Sequence, residues 1–177
     1  MKSLARKATD LDRALFLAIF HLKWAPLTGV MRLFTVAGTA GALWGFLAAA
    51  AFVLTGLQLP NLLIPWVAVA GSWTLAEGAK YLFDRARPFI WDTEIAPLTK
   101  TPSSSSFPSG HSATAAAGAL TLSVFYPPFA PMLMAAAFLV VLSRVYLGVH
   151  FPFDVLAGAA IGISTAAVVL AGAGLVA

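Results

Sequence analysis

The residues of this 177-residue sequence that could do chemistry are concentrated in three short segments. Ionisable side chains are costly near or within membrane-spanning helices, so each one is a candidate for function in a chain as apolar as this one. The segments cover residues 80–88, 108–111 and 143–154. They contain the candidate site residues Lys80, Arg87, Ser109, Gly110, His111, Arg144, His150 and Asp154.

The residue types in these segments favour phosphoryl chemistry. Three cations and the backbone amides of a helix that begins at Ser109-Gly110-His111 predict a site for a multiply charged oxyanion, with phosphate as the natural candidate. One of the two histidines, His111 or His150, could attack phosphorus while the other protonates the leaving oxygen. Asp154 is placed to fix the tautomer of the attacker. Cations and amides around the equatorial oxygens would stabilise the transferring group without a metal.

Five of the eight candidates also have a simpler structural explanation. Ser109 would serve as a helix N-cap and Gly110 as a tight-turn residue, and an acid at Asp154 is favoured by capping and the helix dipole. An isolated pair of Lys80 and Arg87 would extend to the interface or bind anionic lipid head groups. The remaining candidates are interpreted as interfacial, loop or rim residues: His21, Asp84, Arg85, Asp92, Glu94 and Lys100.

The elements that must position these residues lie in a bilayer. Apolar and aromatic residues make up 60% of the sequence, charged residues make up 10%, and the mean hydropathy is +0.88. A soluble domain has roughly 25% charged residues, so this chain has too little polar surface for water. Its lack of cysteine excludes disulfides, thiolate metal sites and a cysteine nucleophile. Eleven Lys and Arg residues are too few for a nucleic-acid groove, so no nucleic-acid partner is expected.

The hydrophobic pattern predicts five membrane-spanning helices after an N-terminal amphipathic helix. Residues 11–24 carry an apolar stripe and are expected to lie in the membrane interface, with a span over residues 14–31 as the alternative. The predicted spans cover residues 33–57, 62–79, 109–125, the stretch from the paired prolines to about 148, and 152 to the C-terminus. The polar segment 80–107 is interpreted as a connecting loop or a lid.

These helices bring the three chemical segments to one membrane surface. The second and fourth spans end where the third and fifth begin, so all three segments converge on the same side of the bilayer. The chain is therefore expected to form a single integral-membrane domain of residues 1–177, with its catalytic motifs within residues 80–154.

The three segments resemble the three-part signature of the type 2 phosphatidic acid phosphatase superfamily. The matching residues are Lys80 with six residues before Arg87-Pro88, then Pro108-Ser109-Gly110-His111, then Ser143-Arg144 with five residues before His150 and three before Asp154. No signature position is missing, and the flanking spans agree with a membrane member. The resemblance implies an all-α, polytopic membrane helical bundle with the site at one bilayer surface.

The resemblance also implies a lipid phosphatase with defined residue roles. His150 would be the nucleophile that forms a phosphohistidine, Asp154 would polarise it, and His111 would act first as acid and then as base. The phosphate would be held by Lys80, Arg87, Ser109, Gly110 and Arg144. The family is metal-independent, so no metal or other cofactor is expected. The rival classes are a vanadium-dependent haloperoxidase, whose relatives are soluble, and a membrane transporter or lipid-binding protein.

The distribution of cations predicts the side of the membrane. All 11 Lys and Arg residues fall on the predicted active-site side. Without the three motif cations, the other eight still lie on that side and none lies on the opposite side. The positive-inside rule therefore predicts a cytoplasmic site. That side would suit phosphatidate, phosphatidylglycerophosphate or a polyprenyl-phosphoryl phosphoribose, whereas an outward site would suit polyprenyl diphosphate. The expected partners are therefore a lipid phosphate substrate and membrane lipids. Interior glycines permit a homo-oligomer as easily as packing within the chain.

Overall fold

A computed structural model of the chain describes residues 2–176, except for the side chains of Lys2, Ser3 and Ala5. Met1 and Ala177 lie outside the described residues, and so does the side chain of Lys2. Lys2 is one of the 11 cations used above to predict the side of the membrane. The described residues form helices and no strand, which confirms the all-α fold class. The helices are α1 (Lys2–Phe20), α2 (Ala25–Ala37), α3 (Ala42–Leu54), α4 (Leu59–Ala79), α5 (Pro88–Trp91), α6 (Gly110–Phe125), α7 (Ala130–Tyr146) and α8 (Pro152–Gly172).

Three helices within the described residues are long and apolar enough to cross a membrane. They are Leu59–Ala79, Pro127–Tyr146 and Pro152–Gly172, which correspond to the second, fourth and fifth predicted spans. The α1 and α2 helices would add a fourth crossing only as a bent pair. The α6 helix has 16 residues, which is shorter than the roughly 20 residues of a full span. The membrane bundle is confirmed, but the count of five full-length spans is not reproduced.

The predicted first span over residues 33–57 is wrong as a continuous helix. A 3₁₀ turn, Thr39–Gly41, separates α2 from α3, and Ala40 and Gly41 have positive φ angles of 48° and 77°. Gly41 suits this turn because a Cβ there would lie 2.4 Å from Val69 Cγ1 on α4. The break therefore lets the backbone between α2 and α3 pack directly against α4.

The α1 helix is amphipathic, as predicted, but it begins earlier than residue 11 and buries a different face. Phe16 and Phe20 stack with ring centroids 5.4 Å apart, and both are buried together with Asp12. Most of the predicted apolar stripe faces outward, as expected for a helix that contacts lipid at the interface. The α1 and α2 helices meet at 116°, so the alternative of a span over residues 14–31 would be a broken span or a re-entrant loop and not one continuous helix.

The α6 helix is the centre of the bundle and packs against α4, α7 and α8. A Cβ at Gly158 of α8 would lie 2.2 Å from the carbonyl oxygen of Ser109. Gly162, one turn later, makes the same 2.2 Å approach to the carbonyl oxygen of Ala113. Small residues of this kind let membrane helices pack backbone against backbone. The close crossing brings the starts of α6 and α8 together, so that the Ser109 N–H donates to the Asp154 carbonyl at 3.0 Å.

Candidate active site

The predicted site residues meet at one end of the bundle. They lie at the end of α4, the start of α5, the start of α6, the end of α7, the turn that follows α7, and the first turn of α8. Six of them are buried, namely Arg87, Ser109, Gly110, Arg144, His150 and Asp154, whereas Lys80 and His111 are half-buried. Burial of ionisable groups is costly in so apolar a chain. Their concentration at this end of the bundle therefore indicates a candidate functional site there.

His150 lies in the turn between α7 and α8 with a buried imidazole. Its Nε2 is 3.2 Å from Nη1 of Arg87, and its Nδ1 is 3.5 Å from Oδ2 of Asp154, which is beyond normal hydrogen-bond length. Burial, followed by the charges of Arg144 and Arg87, holds the pKa of His150 well below its usual 6.5. The imidazole is therefore neutral near pH 7 and keeps a lone pair available for nucleophilic attack.

The Arg87 guanidinium is held by three backbone carbonyls. Its Nε donates to Ser104 O at 2.8 Å and its Nη2 donates to Ser105 O at 3.1 Å. Its Nη1 donates to Val149 O at 2.8 Å. Burial lowers the pKa of Arg87 to about 10, so the side chain is a cation at neutral pH. These contacts fix a positive charge beside the Nε2 atom of His150.

Asp154 both caps α8 and faces His150. Its Oδ2 accepts from the Phe151 N–H at 2.8 Å and from the Ser106 hydroxyl at 2.5 Å. Its Oδ1 accepts from Nη1 of Arg85 at 2.6 Å. The simpler explanation of Asp154 as a helix cap is therefore correct as far as it goes. The same carboxylate also lies alongside the imidazole of His150, so the two roles coexist.

His111 and Arg144 line a pocket on the α2 side of the site. The pocket has a volume of about 380 Å³, and its other lining residues are Thr35, Val36, Thr39, Thr99, Lys100, Thr101 and Pro102. Arg144 donates through Nη1 to the Thr35 hydroxyl, while its buried Nε has no hydrogen-bond partner among the described residues. Because an unpaired buried donor on a cation is costly, the arrangement fits an anionic ligand at this position.

The N-terminus of α6 is more occupied than the sequence predicts. The Ser109 hydroxyl caps the helix, because it accepts from the Ser112 hydroxyl at 3.0 Å and from the Ser112 N–H at 3.4 Å. Glu77 Oε1 accepts from Lys80 Nζ at 2.6 Å and lies against Gly110, where a Cβ would be 2.9 Å from it. The carboxylate of Glu77 therefore pairs with Lys80 beside the start of α6.

Several residues that shape the site were not predicted as part of it. The sequence-based interpretation of Arg85 as a loop or rim charge is wrong, because its guanidinium donates to Asp154. Its position two residues before Arg87 was a signal that could have identified it. Asp12 carried no such signal, because it stands between Asp10 and Arg13 on the charged half of the amphipathic α1 helix. Thr35 carried none, because its hydroxyl matters only through its contact with Arg144.

The fold defines a membrane helical bundle in which arginines and histidines meet at one end, and the chain belongs to the PAP2 superfamily. The family model matches residues 61–174, a range that includes all eight predicted site residues. The structure is similar to that of a transmembrane PAP2 type phosphatidylglycerolphosphate phosphatase from Bacillus subtilis, with a TM-score of 0.79 and 29% identity, covering 97% of this chain and 88% of that chain. The predicted resemblance and the integral membrane bundle are confirmed.

Two relatives of the chain are named for different activities. The decaprenylphosphoryl-5-phosphoribose phosphatase of Mycolicibacterium smegmatis is 38% identical over 136 residues, which cover 75% of this chain and 71% of that protein. The undecaprenyl-diphosphatase of Sulfolobus acidocaldarius is 40% identical over 89 residues, which cover 50% of this chain and 43% of that protein. The chain thus spans less than half the length of the archaeal relative.

Proposed function

We propose that this chain is an integral membrane phosphoric ester hydrolase that removes a terminal phosphate from a membrane lipid through a phosphohistidine at His150. The observation that carries the proposal is the neutral, buried imidazole of His150 with its Nε2 atom 3.2 Å from the Arg87 guanidinium. The guanidinium would bind the phosphate oxygens while the adjacent nitrogen attacks phosphorus. The relatives, which are named as phosphatases, support the assignment.

In the first half-reaction, Nε2 of His150 attacks phosphorus, so that a P–N bond forms as the bond to the leaving oxygen breaks. Arg87 and Arg144 stabilise the equatorial oxygens, whose charge rearranges during the transfer. His111 enters this step as the protonated imidazolium, donates one proton to the leaving oxygen and becomes neutral, so the lipid product departs protonated. Asp154 balances the positive charge that develops on the imidazole of His150.

In the second half-reaction, neutral His111 removes a proton from a water molecule that attacks the phosphohistidine. The P–N bond breaks, inorganic phosphate leaves, and His150 returns to its neutral form. Lys80, Ser109 and Gly110 complete the phosphate site, and Lys80 exchanges its bond to Glu77 for one to a phosphate oxygen. The scheme uses side chains and backbone amides throughout and assigns no step to a metal or cofactor.

The pocket beside His111 supports a substrate with a polar leaving group. Its lining provides the hydroxyls and the cation of Thr35, Thr39, Thr99, Thr101 and Lys100. Phosphatidylglycerophosphate and a polyprenyl-phosphoryl phosphoribose both carry hydroxyls and a second phosphate on the leaving group, whereas phosphatidate lacks both features. We therefore rank these two substrate classes ahead of phosphatidate. The names of the Mycolicibacterium relative and the Bacillus structure support this order.

A polyprenyl diphosphate phosphatase with an outward-facing site is the second candidate. It is favoured by the likeness to the archaeal undecaprenyl-diphosphatase. Its leaving group would be a lipid phosphate, so it would present a charge but no hydroxyls to the threonine-lined pocket. The two candidates therefore predict different substrate rankings and opposite faces of the membrane.

We assign the site to the cytoplasmic face on the basis of cation placement. The Arg13 guanidinium lies 4.7 Å from the Trp91 ring centroid, and Arg32 Nε donates to Leu98 O at 2.7 Å. These contacts hold cations of α1 and α2 against the polar loop at the active-site end, where the positive-inside rule predicts the cytoplasm. The inward assignment thus uses the folded positions of these cations as well as their order in the sequence.

Single cysteines test the sidedness, because the chain contains none. Glu94→Cys would place a thiol in the exposed loop of the active-site end, and Gln58→Cys would place one at the opposite end of α4. An impermeant maleimide should label Gln58→Cys in intact cells and should label Glu94→Cys only after permeabilisation. The reverse pattern would reject the cytoplasmic assignment and favour the outward-facing candidate.

Phosphate release by the purified protein tests the activity itself. The wild type and His150→Ala would be assayed in detergent with phosphatidate, phosphatidylglycerophosphate, a polyprenyl-phosphoryl phosphoribose and a polyprenyl diphosphate. Release by the wild type that vanishes in the variant supports the hydrolase and its nucleophile. Release by neither protein from any of the four lipids overturns the proposed function, and undiminished release by the variant overturns the role of His150.

A further inference from the structure

A chain of charged groups joins the N-terminal helix to the carboxylate that faces His150. Asp12 on α1 and Asp154 on α8 are both completely buried, and one guanidinium, that of Arg85, lies between them. Arg85 Nη2 donates to Oδ2 of Asp12, and Arg85 Nη1 donates to Oδ1 of Asp154 at 2.6 Å. The planar fork of arginine can serve two carboxylates at once in a fixed geometry, which a lysine cannot do.

Asp12 also holds the first turn of α8 directly. Its Oδ1 accepts from the Phe153 N–H at 2.8 Å, so one carboxylate contacts both Arg85 and the helix that carries Asp154. The Arg85 guanidinium lies 4.6 Å from the Phe151 ring centroid, which restricts it further. Asp12 lies outside the residues 61–174 that match the family model. The N-terminal helix therefore supplies a group that the matched region does not contain.

The contacts of Asp154 show what this chain of charges can do. Oδ2 is held by the Ser106 hydroxyl and the Phe151 N–H and is the oxygen that lies 3.5 Å from Nδ1 of His150. Oδ1 is held by Arg85. Rotation of the carboxylate about its Cβ–Cγ bond would exchange the two oxygens or move both out of line. A bond on Oδ1 opposes that rotation and keeps Oδ2 directed at the imidazole.

We propose that Arg85 is a positioning residue for Asp154 and that Asp12 orients Arg85, so that docking of α1 is part of what aligns the nucleophile. The proposal rests on the proposed function of the site. Arg85 contacts neither imidazole nor any signature cation, so it acts through Asp154 alone. Both carboxylates are buried while the guanidinium is 28% exposed, and ion pairs of this kind are weak stabilisers compared with apolar packing. Alignment of the carboxylate is therefore the better account of why this pair lies here.

The test uses Arg85→Gln, Arg85→Lys and Asp12→Asn, with Arg13→Gln as the matched control. Arg13 neighbours Asp12 on α1 and stacks on Trp91, so its replacement removes a cation from the same helix without touching the carboxylates. Loss of an outer residue that orients a metal ligand costs about 10- to 100-fold in affinity or activity, and Arg85 stands in the same relation to the carboxylate of Asp154. We expect a loss of this size in kcat for Arg85→Gln, with KM nearly unchanged. Arg85→Lys should recover part of it, and Arg13→Gln should match the wild type.

A double-mutant cycle separates alignment from a general effect on folding. If Arg85 acts through Asp154, Arg85→Gln should cost little further activity in an Asp154→Asn background, measured with p-nitrophenyl phosphate as the activated substrate. In the same way, Asp12→Asn and Arg85→Gln should be strongly non-additive. Monodispersity and thermal unfolding in detergent identify variants that fold like the wild type, and only these enter the cycle. Arg85→Lys, which keeps the charge, provides the comparison if Arg85→Gln does not fold.

The outcomes distinguish this proposal from the proposed function. Wild-type kcat in folded Arg85→Gln, or an equal fold-loss with and without Asp154, would overturn the positioning role and leave the hydrolase intact. An increase in KM with unchanged kcat would also overturn it, because it would assign Arg85 to substrate binding. Failure of the proposed function would instead appear as a wild type that releases no phosphate.

Discussion

The two histidines of the proposed active site have contrasting surroundings. His150 is buried in a turn, with Arg87 beside one ring nitrogen and Asp154 beside the other. His111 is half-buried and opens into the threonine-lined pocket of about 380 Å³. One side of the site is therefore held in a single geometry, whereas the other has room for a ligand.

This difference separates the chemistry of the site from its specificity. The attacked phosphoryl group is the same in every candidate substrate, so the nucleophile can be fixed by buried hydrogen bonds and charges. The leaving group differs between substrates, and it would lie on the open side. Residues around His150 should therefore affect all substrates equally, and residues around His111 should affect them unequally.

The largest expected effect is the loss of activity in His150→Ala. Removal of a nucleophile costs about 10⁴-fold or more in kcat, because the covalent route is lost and only binding and electrostatic stabilisation remain. The loss should be equally complete for lipid substrates and for p-nitrophenyl phosphate, since each requires the same attack. His21→Ala is the control, because His21 is exposed on the N-terminal segment. If the loss of activity in His150→Ala differed between leaving groups, His150 would not belong to the side of the site that affects all substrates equally.

His111→Ala should have the next largest effect, and its size should depend on the leaving group. General acid catalysis contributes about 10²- to 10⁴-fold, so a loss in this range is expected for lipid esters that leave as alcohols. The loss should be much smaller for p-nitrophenyl phosphate, because p-nitrophenolate scarcely needs protonation. The measurement is kcat/KM for both substrates with wild type and variant, and equal losses on both would reject the acid role.

The sequence predicts the residues that stand at helix ends but not the contacts that depend on how the helices dock. The eight predicted site residues stand at or next to helix ends, where apolar periodicity stops, so their convergence follows from alternation of the spans. The contacts of Asp12 with Arg85 and of Thr35 with Arg144 depend on how α1 and α2 dock, which no local pattern encodes. The helix break at Ala40 is similar, because a positive φ at a residue other than glycine follows from packing rather than propensity.

The pH dependence of the reaction tests the electrostatics on the His150 side. Only the neutral imidazole can attack, so the rate falls as pH drops through the pKa of His150 in the folded protein. Because burial and the charges of Arg144 and Arg87 hold that pKa below 6.5, the acid limb of kcat/KM should lie below pH 6.5. Removal of the positive charge in Arg87→Gln should move this limb to higher pH.

The titration of the substrate itself serves as an internal reference for that measurement. A phosphate monoester has its second pKa near 6, so it adds a limb that wild type and Arg87→Gln share. Only the displacement between the two profiles reports on His150. An unchanged acid limb in Arg87→Gln, in a variant with enough residual activity to measure, would show that the guanidinium does not control the imidazole.

The smallest expected effect lies on the open side, at Lys100. Its ammonium lines the pocket beside His111 but is exposed, so its attraction for a second phosphate is screened by water. Lys100→Gln should therefore lower kcat/KM for phosphatidylglycerophosphate by only about two- to fivefold, and it should leave phosphatidate unaffected because that substrate has no second phosphate. This loss for phosphatidylglycerophosphate relative to phosphatidate should shrink as salt is added.

Lys23→Gln, which removes an exposed cation stacked on Phe20, is the matched control for Lys100→Gln. An equal loss on both lipids would mean that Lys100 attracts the scissile phosphate, and the division between a fixed chemical side and a variable leaving-group side would then fail at this residue.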